Sequence, residues 1–420
     1  MYFLSYRACV SIPTIETKQK KDHSKQNLKL KKYNKFTNNL LRNLPFVSII
    51  VPVRNEEKYI ERCLLSLLSQ DYPQFELIVI DDNSSDNTLK IMKDIKNSSY
   101  YKTNGFPIDK LKIISLKDKP ENWTGKTWAS QQGYIESRGK VLLFTDGDTN
   151  YVSRDVISQT VLYMQKEQLD VLTGTPSSEK LINFWSKITV PFWAFVIALF
   201  GINNSKVNNP KSKIAYLMGC FFLIKRNIFV DIGTFESVHD ALLEDKALGV
   251  LVKKRGHKMK IVKLGEMVYT LWLDGLIALW YGIGRTLAPL VMKNRFKIII
   301  NLCIIFFATI LPFVLFPITL TIAFEKLSFV SIFEIPFCFY FYSLLLNLLP
   351  CIIVLYLYSL KCKEFGITPL YSFWSLFASI FVIVACLYNI TPLLFFGKTR
   401  PILWQGRHYT YNKEQEGFTI

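Results

Sequence analysis

The sequence predicts an α/β protein, a mostly parallel sheet with flanking helices, followed by an α-helical region able to cross a membrane. Three observations carry this. Between Phe46 and Asp148, short apolar runs alternate with amphipathic helical patterns, an alternation that builds a parallel sheet with crossover helices. Polar clusters follow those runs at Arg54 to Glu56, Asp81 to Asn83 and Asp146 to Asp148. These are carboxyl ends of strands, where open α/β sheets bind ligands. Three uncharged runs fill 298–324, 335–360 and 367–397, each longer than the roughly 20 residues that span a bilayer.

The first strand is the β-branched run Val47 to Val53, after which Arg54-Asn55-Glu56-Glu57 opens a helix. Ile60, Cys63, Leu64, Leu67 and Leu68 fall on one stripe of that helix, and Gln70-Asp71-Tyr72-Pro73 stops it. The second strand, Phe75 to Ile80, runs into Asp81-Asp82-Asn83-Ser84-Ser85-Asp86, and a helix follows with Leu89, Met92 and Ile95 on one side. Leu111 to Leu116 is a third strand, and a helix lies around Gly125 to Ser137. The fourth strand, Val141 to Phe144, ends in Asp146-Gly147-Asp148. Two carboxylates at this spacing can share one hard divalent cation and leave positions for water and substrate phosphates. The same residues also make an ordinary strand-end turn.

Composition narrows the class. The 420 residues accommodate two or three domains. Half are apolar and 15% aromatic, and the formal charge is +18. The basic residues are spread through tails and loops, not set in a stripe with aromatics, so the charge suits anionic lipid headgroups and not nucleic acid. Eight cysteines form no CxxC pair and no zinc-spaced cluster, which reads as reduced, structural thiols. Residues 1–45 form a Lys-rich arm of disordered composition, either a solvated tail or a lipid-binding segment. Its first ten residues are too short and polar for the apolar part of a signal peptide.

Phe46–Glu57 (FVSIIVPVRNEE), Glu76–Asn87 (ELIVIDDNSSDN) and Asp146-Gly147-Asp148, read together, resemble inverting glycosyltransferases of family 2. The resemblance continues through Asn122–Ala129 (NWTGKTWA), Gly219–Arg226 (GCFFLIKR) and Leu242–Leu248 (LLEDKAL), in family order across roughly 46–275. It is nearest to membrane-anchored members associated with hopanoids and carotenoids. The resemblance implies the GT-A (Rossmann-like) fold and a nucleotide-diphosphate sugar donor. It implies that Pro52, Arg54, Asn55, Glu56, Asp81 and Asp82 hold the nucleoside, with Asp82 against a pyrimidine ring N–H. Asp146 then sits near ribose and metal, and Asp148 ligates Mg²⁺ or Mn²⁺ directly. Lys126, after Gly125 at a helix start, either adds a point charge to the diphosphate or is a surface lysine. Asp245, or second Glu244, matches the acceptor-side base; without the resemblance both are ordinary first-turn acids. Asp240 is a weaker candidate, and the adjacent His239 is incidental. Many family members that make polymers carry Gln-x-x-Arg-Trp, where this chain has Trp280-Tyr-Gly-Ile-Gly-Arg285. That departure counts against a processive polysaccharide synthase, while Arg285 is carried over as a diphosphate ligand.

Ile188 to Asn204 is uncharged but short for a span. With Trp185, Phe192 and Trp193 it reads as an interfacial or re-entrant helix near 184–203, or as an acceptor-site lining inside the soluble domain. Residues 276–297 read as an amphipathic connector. Lys293, Arg295 and Lys297 precede the first long run and put that side, with the catalytic domain, in the cytosol. Three spans would leave Lys398, Arg400 and Arg407 outside, against the same rule, so one run is re-entrant or the rule is overridden. The expected protein is thus a multi-pass membrane enzyme that transfers a sugar to a lipid-like acceptor. A polyprenyl-phosphate sugar synthase is the alternative. A nucleotide-regulated transporter is disfavoured, because the three runs hold no acid within them and Glu334 lies only at a margin.

Overall fold

The computed structural model describes residues 44–409 except 180, 182, 200–203, 213, 272–274, 294, 328–334, 397–401 and 405. The N-terminal arm lies outside the described residues apart from Leu44 and Pro45, as do Glu334 and most of the basic tail. The chain divides into two compact units. An α/β unit runs to Glu179 and resumes over Asn203–Leu271, and a helical unit takes Lys180–Ile202 and Trp272–Thr419.

The α/β unit begins with β1 (Val47–Val53), α1 (Ile60–Leu68), β2 (Phe75–Asp82), α2 (Thr88–Asn97), β3 (Leu111–Leu116), α3 (Gly125–Ile135) and β4 (Val141–Thr145). It continues through β5 (Asn150–Tyr151), α4 (Val156–Lys166) and β6 (Val171–Ser178). After α5 (Phe184–Leu199), which belongs to the other unit, come β7 (Phe221–Lys225), α6 (Glu244–Lys254) and β8 (Met259–Thr270). The strands form one sheet in the order β3-β2-β1-β4-β7-β6-β8-β5. From β3 to β4 all neighbours are parallel. Beyond β4 the sheet is mixed: β7 runs antiparallel to β4 and β6, β6 and β8 are parallel, and β5 is antiparallel to β8. This mostly parallel, helix-flanked sheet is of the GT-A type.

The apolar runs are continuous because both sheet faces are covered. Val47, Ile49 and Val51 of β1 pack in a core with Cys63, Leu64 and Leu67 of α1, Met92 of α2 and Val161 of α4. Ile50 points to a second core with Ala129 of α3 and Leu248 and Val252 of α6. Each such side chain, fully buried, contributes about 1.5–3 kcal/mol. One expectation is corrected: no helix opens at Arg54. Asn55 adopts φ 54°, a left-handed conformation incompatible with a continuing helix, and α1 starts at Ile60.

The helical unit adds α7 (Leu276–Lys293), α8 (Arg295–Thr309), α9 (Leu311–Leu327), α10 (Ile335–Glu364) and α11 (Ser375–Phe396). Among the described residues, three stretches are long and apolar enough to cross a membrane: Ile298–Glu325, Tyr342–Glu364 and Pro369–Pro392. The first covers two helices, α8 and α9, separated at Ile310. Helix α5 packs within this unit. Its Phe184 and Trp185 rings lie 5.3 Å from Trp374 and Phe377, and the buried Tyr358 hydroxyl donates to the Ile188 carbonyl. The reading of this segment as a lining inside the soluble domain is therefore set aside; ring packing places it among the apolar helices.

Candidate active site

The parallel half of the sheet sends the ends of β1, β2 and β4 to one edge, and the loops there are tied to each other. Arg54 Nη1 donates to the carbonyls of Asp82 (2.5 Å) and Asn83 (2.7 Å). The Asn55 amide donates to Ser84 Oγ, and its side-chain Oδ1 accepts from the Ser85 amide. The Glu56 amide donates to Thr88 Oγ1, whose hydroxyl in turn donates to Asp86. Pro52 lies in β1 beside Ile80 of β2. Asp81 and Asp82 are both buried. Asp81 Oδ2 accepts a long bond from the Ser84 amide at 3.4 Å, but the buried Oδ1 has no donor among the described residues. A buried carboxylate oxygen without a partner is costly, and a ring N–H or ribose hydroxyl is the kind of group that would satisfy it.

The Asp146-Gly147-Asp148 turn closes the same edge. A Cβ on Gly147 would lie 2.8 Å from Val53 Cγ1, so only glycine lets this turn pass against β1. Thr149 Oγ1 donates to the Asp146 carbonyl, and Thr145 Oγ1 to the Cys220 carbonyl. Thr270 Oγ1 donates to Asp148 Oδ1 at 3.4 Å, and Arg62 Nη2 to the Asp148 carbonyl at 3.3 Å. Arg62 also pairs with Glu179 (2.7 Å), whose amide donates to the Thr270 carbonyl. A loop of contacts thus holds Asp148. Cys63 and Cys220 lie beneath it, free and buried. Burial pushes the Cys63 thiol up to about 12 and raises that of Cys220, which makes both poor nucleophiles at neutral pH.

Across the turn stand the acids of α6. Gly219, just before β7, donates its amide to Asp245 Oδ2 at 3.1 Å, and the Lys246 amide donates to Oδ1 at 2.7 Å. Lys126, in the first turn of α3, joins the two sides. Its Nζ lies 2.6 Å from Asp146 Oδ1 and 3.1 Å from Glu244 Oε1. Burial alone would lower this ammonium's pKa, but Asp146 and Glu244 reverse that and hold it above its ordinary range. Thr124 caps α3, and the His239 carbonyl accepts from the Thr124 amide and the Thr127 hydroxyl. His239 therefore contributes through its backbone, and Asp240 is half-buried beside it.

Negative charge is crowded at the turn. Burial, then Asp148 and Asp146, push the Glu56 carboxyl up to about 8, and burial, then Asp146, push Asp148 up to about 7. A hard divalent cation with oxygen ligands would relieve both. Among the described residues no group of three or more His, Cys, Asp or Glu forms a metal cage.

The structure therefore gathers Asp146, Asp148, Glu56, Lys126, Glu244 and Asp245, with Asp81, Asp82, Arg54 and Asn55 in the adjoining loops. The side chain of Arg285 lies outside the described residues. Sequence reasoning missed Arg62, Glu179 and Thr270. Gly219 carried a signal, as the first residue of a matched segment, but not its part in orienting Asp245.

Residues 48–233 match the sequence model of the family described as Glycosyl transferase family 2. It is 27% identical over 222 residues to a probable glycosyltransferase, YdaM, of Bacillus subtilis, covering 52% of this chain and 49% of that one. It is 32% identical over 152 residues to a beta-monoglucosyldiacylglycerol synthase of Trichormus variabilis, covering 34% and 29%. The chain thus spans about half, or less, of these curated relatives. Among solved structures, a mannosyltransferase from Pyrobaculum calidifontis in complex with GDP-Man and Mn²⁺ aligns over 93% of both chains at 15% identity, with a TM-score of 0.48.

Proposed function

We propose that the protein is a membrane-bound, metal-dependent inverting glycosyltransferase that moves one sugar from a nucleotide-diphosphate donor to a lipid-like acceptor. The observation that carries this is the meeting, at Lys126, of the acids of the Asp146–Asp148 turn with those of α6. In this reading the partnerless Oδ1 of Asp81 takes a donor from the nucleoside, and Arg54 keeps that loop closed by holding two carbonyls. Asp146 and Asp148 would hold Mg²⁺ or Mn²⁺, which when bound would offset charge on the departing diphosphate. Asp245, oriented by the Gly219 amide, accepts the acceptor hydroxyl's proton as its oxygen bonds to the anomeric carbon. The carbon–oxygen bond to diphosphate breaks on the opposite face, which inverts the centre.

Three apolar stretches able to span a bilayer support a membrane enzyme, and a relative named for a glucosyl diacylglycerol supports a lipid acceptor. Lys293, Arg295 and Lys297 before the first stretch support a cytoplasmic catalytic unit. The test is to incubate membranes carrying the protein with labelled sugar nucleotides and Mn²⁺ or Mg²⁺, then extract the lipids. Label should enter the lipid fraction with the wild type and not with Asp148→Ala. Unchanged transfer by Asp148→Ala would remove the metal role, and no lipid label from any donor would remove the acceptor class.

A further inference from the structure

Lys126 is placed to do more than sit beside a phosphate. We propose, resting on the reading of Asp146 and Asp148 as cation ligands, that Lys126 is a movable counter-charge shared by the cation site and the acceptor-side acids: when a divalent cation takes Asp146, the Lys126 ammonium passes wholly to Glu244. Its nitrogen is already within 2.6 Å of Asp146 Oδ1 and 3.1 Å of Glu244 Oε1. An ammonium and a divalent cation compete for the same carboxylate oxygen, and a lysine is a compact point charge on a flexible stem with three donors. The root of that stem is fixed. Thr124 caps the helix, and the Thr124 amide and Thr127 hydroxyl are bonded to the His239 carbonyl at 2.8 and 2.6 Å. Only the head has somewhere to go, and Gly219 keeps its path open. A Cβ there would stand 3.0 Å from the Lys126 nitrogen and 3.3 Å from Asp245 Oδ2.

Two consequences follow. Lys126 opposes cation binding, so removing it should strengthen the site. Glu244 assists cation binding without touching the cation, because it gives Lys126 an alternative partner. Loading the donor side thereby supplies a counter-charge to Glu244 and leaves the proton acceptance to Asp245.

The experiment is Mn²⁺ titration, by electron paramagnetic resonance or calorimetry, of the full-length protein in detergent without donor. Lys126→Met should bind Mn²⁺ at least about fivefold more tightly, since a unit positive charge near a divalent ion has been removed. Glu244→Gln should bind several-fold more weakly. In the double variant the Glu244→Gln effect should vanish, a coupling that a purely structural role of either residue would not produce. Lys126→Gln serves if the methionine variant does not fold, which thermal melting reports. The inference is overturned if Lys126→Met binds Mn²⁺ equally or more weakly, or if Glu244→Gln weakens binding undiminished in the double variant. Asp148→Ala separates the two levels. If it binds Mn²⁺ like the wild type, the cation-site reading itself fails; if it loses binding while Lys126→Met does not tighten it, only the counter-charge role fails.

Discussion

The two halves of the sheet reach the same edge by different routes. From β3 to β4 every strand is parallel, so the residues that follow each strand arrive together, and Asp81, Asp82, Asp146 and Asp148 need only end their strands to meet. Beyond β4, β7 runs the other way, so at that edge it is a residue two positions before the strand, Gly219, that takes part, along with the first turn of α6. The first half is held by side chains bonded to neighbouring loop backbone, as Arg54 is to Asp82 and Asn83. The second is held by charge, as Lys126 is between Asp146 and Glu244. In the proposed function the parallel half grips a donor in one geometry, and the other half places and moves charge.

That division can be broken by kinetics. Asp245→Asn should lower kcat by about 10²–10⁴-fold, the usual contribution of a positioned base, with donor binding nearly unchanged. The amide oxygen of asparagine can still accept one of the backbone bonds that orient this side chain. Rapid-mix kinetics with separate donor-binding measurements would check it, and a collapse of donor affinity would move Asp245 to the gripping half. Asp81→Asn should act the opposite way, weakening donor binding about 10- to 100-fold through a lost buried charge-assisted bond while changing kcat little. Equal losses in both parameters would erase the distinction.

The same division explains what the sequence shows. The parallel half is legible because strands buried on both faces are nearly continuous apolar runs, as in Val47–Val53 and Val141–Thr145, and because their acids stand next to them in the chain. The turn at Asn55 is not legible: its left-handed backbone depends on Ser84 and Ser85 of another loop. The second half is hidden for a related reason. Strand β8, Met259–Thr270, is interrupted by Lys263, Gly265 and Glu266, which breaks the apolar pattern, and its Thr270 reaches Asp148 only after folding. The family resemblance supplied Glu244 and Asp245, but no spacing in the chain pairs Glu244 with Lys126. For α5, Phe184–Leu199, length and tryptophans point toward an interface, whereas its packing against α10 and α11 depends on rings far along the chain.

The smallest effect expected is also the one that reads the turn most directly. The Glu56 carboxyl is pushed up to about 8 and that of Asp148 to about 7, both first by burial and then by neighbouring carboxylates. In the unfolded chain such groups lose their protons near pH 4. Between about pH 4 and 8 the folded protein therefore binds more protons than the unfolded one, and stability must fall as pH rises through that window and level off above it. Lys126, held charged in both states over this range, adds no slope. Asp86 and Asp170, whose pKa values are lowered, act only at more acid pH. With a chelator present, the melting midpoint of the full-length protein in detergent should decline from about pH 5 to 8. Mn²⁺ should raise it most at the upper end, because the cation replaces protons that are leaving. Asp148→Asn should flatten the chelator curve, having removed one crowded charge and relieved the other. A midpoint that stays level with pH, or rises, would mean that these carboxylates do not share a field, and a single cation could not then be what draws Asp146 and Asp148 together.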